Sequence, residues 1–332
     1  METLVSIDNA QCRIGRQALL AIGHFAIESG EHWCLFGPNG CGKTLLANLL
    51  AAKRPESSSY VIYGPNFDPA LDLHIVSFEE QQRLWARDNR FDISEFSGDA
   101  QDKGTVVEDL IRASRSRQNQ DDVLLADLIE QLALAEVLSK GIRFLSSGQI
   151  RKVLIARSLY AYRDDSPQLL ILDDPLESID RDSREQIANT IEKYMSAQFS
   201  SLQLCRRQQD ILPGVSHMAV MERSGTEMQI SRQGPLAEVL KTSEFMDISA
   251  VGIEATANLD ALLPHGIPVS KLREELIRLE DIQANYGDSK VLVDVNWIMT
   301  SQDHVVIEGP NGCGKSTLLS LIDGENHKGY GQ

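Results

Sequence analysis

An α/β fold is predicted for this 332-residue chain: a mixed sheet covered by helices in one complete domain, then the N-terminal part of a second domain of the same kind. Three observations predict it. A glycine-rich string occurs twice, letter for letter. Each copy follows a strand-like run and opens an apolar-periodic helix. Between the copies stands a continuous apolar run that ends in two carboxylates.

The string Gly37-Pro38-Asn39-Gly40-Cys41-Gly42-Lys43 recurs as Gly309-Pro310-Asn311-Gly312-Cys313-Gly314-Lys315. The two are too far apart for a solenoid, and the spacing suits tandem domains. His32–Phe36 and His304–Glu308 read as strands entering the loops, and Thr44-Leu45-Leu46 and Ser316-Thr317-Leu318-Leu319 open the helices. Both copies fit G-x-x-x-x-G-K-[ST]. Glycines let successive backbone N–H groups turn around a triphosphate, and the helix presents its N-terminus to the negative charge. Lys43 and Lys315 are placed to reach the outer phosphates, and the Thr44 and Ser316 hydroxyls to ligate Mg²⁺. ATP with Mg²⁺ is the ligand this pattern predicts.

The second loop stands close to Gln332. A nucleotide-binding domain needs on the order of 100 further residues to complete its sheet. The expectation is that the chain stops inside its second domain, leaving Leu318, Leu319 and Leu321 short of cover.

Gln168–Leu172 reads as a buried parallel strand, and Asp173 and Asp174 end it. Asp173 is placed to hold Mg²⁺ through water, as a Walker B aspartate does. Upstream, Leu145-Ser146-Ser147-Gly148-Gln149 precedes a helical stretch from Ile150. Here the sequence resembles the ABC (ATP-binding cassette) ATPase family, whose signature is LSGGQ; Ser147 replaces its first glycine. The resemblance implies that Ser146, Gly148 and Gln149 lie at a helix N-terminus and contact the γ-phosphate held by an opposing domain. It implies a helical signature subdomain over about residues 90–160, with Asp92–Gly104 an acidic loop ahead of it. It also implies a head-to-tail sandwich, formed in cis or between two copies of the chain.

Several further positions follow from that resemblance. Glu177–Asp180 matches the loop after Walker B. Glu79 takes the Q-loop position, with Gln81 the alternative register. The catalytic glutamate after Walker B is here Asp174, and losing about 1.5 Å of reach lengthens its hydrogen bond to the attacking water. The switch histidine is absent after the strand at Ser201–Cys205, where Arg206 stands; an arginine can contact a phosphate but relays no proton at neutral pH. His217 is the other candidate, read chiefly as structural. The base-stacking aromatic is Tyr286 in the second copy, against Ile14 in the first. The first site is thus expected to bind Mg·ATP and hydrolyse it slowly.

The domain boundaries that follow are residues 1–234 for the first nucleotide-binding domain, 235–274 for an acidic linker, and 275–332 for the second domain's fragment. A net charge of −16 disfavours extended contact with nucleic acid. Five cysteines without a C-x-x-C pair suit a reducing cytoplasm, and no apolar run is long enough to cross a bilayer. Any place at the inner face of the membrane therefore needs a partner permease chain. Cys41 and Cys313 read as small residues tolerated in their loops. The short acidic linker argues against the translation factors that carry a long basic helix between cassettes. Tandem cassettes, Trp85 beside Arg87-Asp88-Asn89 and the stretch from Leu318 to Tyr330 resemble the ModF or photorepair-protein group, which implies coupling of ATP to a partner's movement in molybdate-type transport. The alternative is a soluble regulatory, DNA-repair or translation-associated tandem ATPase.

Overall fold

The computed structural model describes residues 2–15, 18–90, 104–163, 166–177, 179–195, 199–246, 248, 274–286, 289–309 and 313–324. The chain divides into two compact units, Met1–Ala255 and Thr256–Gln332.

In the first unit the chain forms β1 (Thr3–Ile14), β2 (Ala18–Glu28), β3 (His32–Phe36), α1 (Lys43–Leu50), α2 (Ser57–Tyr60), β4 (Val61–Tyr63), β5 (Leu73–Val76) and α3 (Phe78–Arg90). The helical layer follows: α4 (Val107–Arg112), α5 (Asp122–Gln131) and α6 (Ser147–Tyr160), with 3-10 turns at 117–119, 135–137 and 142–144. The chain returns through β6 (Gln168–Asp173), α7 (Arg181–Tyr194), β7 (Phe199–Cys205), β8 (His217–Ser224), β9 (Glu227–Pro235) and α8 (Leu236–Val239). All nine strands lie in one mixed sheet, ordered β4-β1-β2-β9-β8-β3-β7-β6-β5.

The strands β5, β6, β7, β3 and β8 run parallel. Every residue of β3 and β7 is buried, as is all of β6 but Asp173. Parallel strands covered on both faces read as unbroken apolar runs rather than alternation, which is why β3 and β6 stand out in the sequence. The β7 run FSSLQLC is half polar and stands out less. Its polar side chains are each satisfied: Gly30 N donates to Ser200 Oγ at 2.9 Å, Ser201 Oγ meets His32 Nδ1 at 3.1 Å, and Gln203 Nε2 donates to Asp210 O at 2.6 Å. A buried polar group costs little once it has a partner.

Two apolar layers cover the sheet. One face carries α1, with Leu46, Leu49 and Leu50 in one apolar cluster with Phe25 and Ile27 of β2 and Leu35 of β3. The other face carries α6 and α7 and the helical layer, with Leu154, Tyr160 and Ile187 set against Phe36 and Leu170. Residues after β9 also join this core. Leu236 N donates to Ser216 O at 2.9 Å, and Phe245 packs on Phe36 with ring centroids 4.9 Å apart. The stretch expected to open the linker at Pro235 thus packs on the first unit. Of that expected linker residues 249–273 lie outside the described residues, as does the expected acidic loop Asp92–Gly104 apart from Gly104.

The second unit contains the antiparallel pair β10 (Glu275–Tyr286) and β11 (Ser289–Thr300), then α9 (Lys315–Asp323). The strand expected over His304–Glu308 does not form. Val305 and Val306 are exposed, whereas the matching residues of β3 are flanked by β7 and β8. A strand is stable only when its backbone groups find a neighbour, and among the described residues of this unit no third strand lies alongside.

His32, at the start of β3, is buried, and burial pushes its imidazole down to about 4 from 6.5. The unfolded chain therefore takes up this proton first, so stability falls as pH drops from 6.5 towards 4 and is fully present above that window. His32→Gln is expected to flatten this part of the profile, measured as urea midpoints at neutral and mildly acidic pH. An unchanged slope would show that His32 does not set it.

Candidate nucleotide-binding site

Parallel register brings the site together. Phe36 pairs with Cys205 and Asp173 with Leu204, so the C-terminal ends of β3, β7 and β6 lie side by side. Three chain segments leave this edge at the same level: the glycine loop, Arg206, and the Asp173-Asp174 pair. Ligands of open α/β sheets bind at this edge.

The first loop runs from Gly37 to Gly42 and opens α1 at Lys43. Gly37 N donates to Cys205 O at 3.2 Å, tying the loop to β7. A Cβ on Gly37 would collide with Met221 O and come within 2.8 Å of Cys41 Sγ. Gly42 caps the helix at φ 98°, a left-handed backbone that favours glycine. Cys41 is fully buried beneath the loop, and burial pushes its thiol up, so it packs there as an unreactive small residue. Pro38, Asn39 and Gly40 form the outer rim. Lys43 Nζ donates to Gly37 O at 2.7 Å and Pro38 O at 3.0 Å, so the ammonium is folded into its own loop.

Thr44 Oγ1 donates to Asp173 Oδ2 at 3.1 Å. Burial pushes the Asp173 carboxyl up, against the pull of Thr44 and Lys43. The Asp174 carboxyl is also raised, by burial first and then by Asp173. An open cleft of about 310 Å³ is lined by Asn39, Gly40, Lys43, Thr44, Asp173 and Asp174. A hydroxyl and two carboxylates held above their ordinary range form a hard-oxygen set beside a lysine. That set fits Mg²⁺ bound with phosphates, since a divalent cation relieves two half-buried negative charges at once.

Asp174 sits at φ 44°, a left-handed conformation that aspartate tolerates better than most residues. Its carbonyl accepts from Arg151 Nη1, and its N–H donates to Leu204 O at 3.0 Å. Arg151, which no motif marks, ties the helix that carries the signature to the end of β6; its place two residues after Gln149 is the signal the sequence offers. Arg206 is ion-paired with Glu177 and stands near enough to Asp174 to draw its carboxyl down against the burial. Glu79 is exposed on the first turn of α3, close enough for its charge to raise Asp173. Gln81, the other register, is buried with neither amide atom hydrogen-bonded. His217 lies at the opposite end of the sheet. It opens β8 beside Trp33, on which it stacks at 4.9 Å.

The signature turn is built as a capping box. Ser146 is the N-cap of α6; Gln149 N donates to Ser146 Oγ at 3.2 Å, and Ser146 N donates to Gln149 Oε1 at 3.0 Å. Gly148 is buried in the first turn. The S-x-x-Q spacing carried that signal in the sequence.

In the second unit Lys315 Nζ donates to Gly309 O at 2.7 Å and Gly314 caps α9 at φ 94°, repeating the first loop's arrangement. Cys313 is exposed there, unlike Cys41, and Ser316 occupies the position of Thr44. Pro310, Asn311 and Gly312 lie outside the described residues. Tyr286 ends β10 as Ile14 ends β1, so each position expected to stack on the base closes the first strand of its unit.

This sheet, loop and carboxylate pair define a P-loop nucleotide-binding protein of α/β class. The chain belongs to the ABC transporter family, which matches residues 21–177 and 292–332. ModF of Escherichia coli, an ABC transporter ATP-binding protein, is 26% identical over 328 residues, covering 96% of this chain; the chain spans 62% of that relative's length. The molybdate/tungstate import ATP-binding protein WtpC of Thermococcus kodakarensis is 27% identical over 173 residues, covering 51% of this chain and 47% of its own. Among solved structures, a nucleotide-free ATP-binding cassette from an ABC transporter aligns with a TM-score of 0.54 at 19% identity, over 74% of this chain and 98% of its own. At that identity the likeness is one of fold. No helix among the described residues is long and apolar enough to cross a membrane.

Gly37→Ala should disrupt the loop, because the added carbon meets backbone at Met221. The expected cost is about 1–3 kcal/mol of stability together with loss of nucleotide binding, read by melting temperature and a fluorescent-ATP titration. Wild-type affinity in the variant would show that the loop does not need this close approach.

Proposed function

We propose that the chain binds Mg·ATP and couples its binding and hydrolysis to movement of a membrane permease partner, in import of the molybdate kind. The observation that carries the reading is the Thr44–Asp173 hydrogen bond beside Lys43 at the mouth of the cleft. Family membership supports the ATP chemistry, and the similarity to WtpC, a molybdate/tungstate import protein, supports the class of cargo. The chain then works in the cytoplasm, at the inner face of the membrane through that partner.

In this reading the N–H groups from Gly40 to Thr44 and the N-terminus of α1 receive the phosphates. Lys43 exchanges its loop carbonyls for phosphate oxygens, so the loop is preformed and only one side chain must turn. Thr44 and Asp173 hold Mg²⁺, which when bound neutralises charge on the phosphates. Asp174 orients water, and Arg206, held by Glu177, faces the outer phosphate. Ser146 and the N-terminus of α6 close on the nucleotide of an opposing cassette, from the second domain or from a second copy. In the second domain Gly309–Ser316 and Tyr286 take the equivalent roles.

The slow step assigned to Asp174 follows from geometry. Its backbone is pinned on both sides by Arg151 and Leu204, so the shorter side chain cannot make up its reach by a backbone shift. Positioning is most of what catalysis needs in phosphoryl transfer.

Lys43→Ala is expected to weaken Mg·ATP binding by about 1.5–3 kcal/mol, the worth of a charge-assisted hydrogen bond, in a titration with a fluorescent ATP analogue. Unaltered affinity would remove the first loop from the function. Asp174→Glu should raise steady-state ATP turnover by about tenfold or more at unchanged affinity, by restoring the reach of a general base. No increase would mean that another group limits hydrolysis at this site.

A further inference from the structure

Three segments distant in sequence converge just before the signature turn, and one buried carboxylate joins them. Asp88 lies on α3 and is 6% exposed. Its Oδ1 accepts from Thr105 N at 2.8 Å, and its Oδ2 from Arg143 Nε at 2.9 Å. Arg143 is equally buried, at 9%, and lies three residues ahead of Ser146. Closer to the start of α3, Trp85 Nε1 donates to Ile142 O at 3.0 Å, so α3 grips this segment by backbone and side chain together. Ile142 N in turn donates to Thr105 O at 2.9 Å. Gly104 closes over the ion pair at φ 61°, where a Cβ would collide with both Arg143 Nη2 and Asp88 Oδ2.

The pair is unlike the surface ion pairs of this chain. Arg112 with Asp122, for example, sits where one partner is 81% exposed. Exposed pairs exchange partners with water at little cost. A buried pair resists sliding, because separating its charges costs more in a dry site than at the surface. Burial alone would push the Asp88 carboxyl up, yet Thr105 and Arg143 outweigh it and hold the group below its ordinary value.

We propose that Asp88 is the positioning residue of the signature turn: through Arg143 and Thr105 it fixes the turn at Leu145–Gln149 to α3, whose first turn carries Glu79 within electrostatic reach of Asp173. Its functional meaning rests on the proposed role of Ser146 and the α6 N-terminus in closing on a phosphate. Asp88 itself touches no nucleotide. It sets where the capping box stands relative to the edge of the sheet, so that α3 and the turn shift as one body.

Hydrogen–deuterium exchange on the whole chain tests this, comparing wild type with Asp88→Ala and Asp88→Asn. The asparagine keeps the volume and an acceptor for Thr105 while removing the charge that holds Arg143. Exchange over residues 142–150 should rise about tenfold or more in both variants. Exchange over the loop at 37–44 and over β6 should stay as in wild type, and Mg·ATP affinity should remain within about twofold, since that site is intact. Unchanged exchange at 142–150 in both variants would overturn the proposal. So would a rise of equal size across β3 and β6, which would mark Asp88 as a general stabiliser. Should wild type itself fail to bind Mg·ATP, the proposed function fails, while the exchange pattern still decides whether Asp88 fixes the turn.

Discussion

The structure depends on the parallel pairing of β3 with β7 and of β7 with β6. Backbone register is the constraint, and the chemistry follows from it. Cys205 pairs with Phe36 and also accepts from Gly37, so the strand that ends at Arg206 holds the glycine loop directly. One residue of slip would reverse which side chains of β7 face each layer. Ser201 and Gln203 would then lose His32 and Asp210, leaving buried polar atoms without partners. Register is therefore set by polar satisfaction as much as by apolar packing.

That edge gathers charges of both signs. Asp173, Asp174 and Glu177 meet Lys43, Arg151 and Arg206 in a small volume. Burial raises both aspartates while the cations draw them back. Each cation has a partner: Lys43 its loop carbonyls, Arg151 the carbonyl of Asp174, Arg206 the carboxylate of Glu177. In the proposed mechanism Lys43 exchanges its loop carbonyls for phosphate oxygens, while Arg151 stays on the carbonyl of Asp174. The backbone that carries them is already in place.

The helical layer adds a second kind of constraint. Its apolar contacts join the core that α6 and α7 share with the sheet, but the turn that carries Ser146 is tied down by polar groups. Hydrocarbon packing tolerates small displacements, whereas a capping box and a buried ion pair hold defined distances. The polar ties lie where the proposed mechanism needs a fixed donor array, and the apolar contacts lie behind them.

The sequence by itself determined the repeated loops, the strands β3 and β6, the helix carrying the signature and the α/β class, because each follows from a local rule: glycines at a tight turn, unbroken apolar runs in a covered sheet, an N-cap with its glutamine. It also marked Asp174 and Arg206 as departures from the family pattern. The tertiary structure alone decided what depends on neighbours. The run at His304–Glu308 has the strand's composition but no flanking strand among the described residues, and it forms none. The stretch from Leu236 to Phe245 read as linker, yet an apolar face and a stacking partner in Phe36 fold it onto the first unit. Arg151 and Arg143 belong to no motif, Asp88 stands in the Arg87-Asp88-Asn89 stretch with no role assigned by it, and only three-dimensional packing shows what the three hold. Local rules fix the residues that bend the chain or cross the core. Which distant charge meets which is settled by the strand order, and no spacing along the sequence records it.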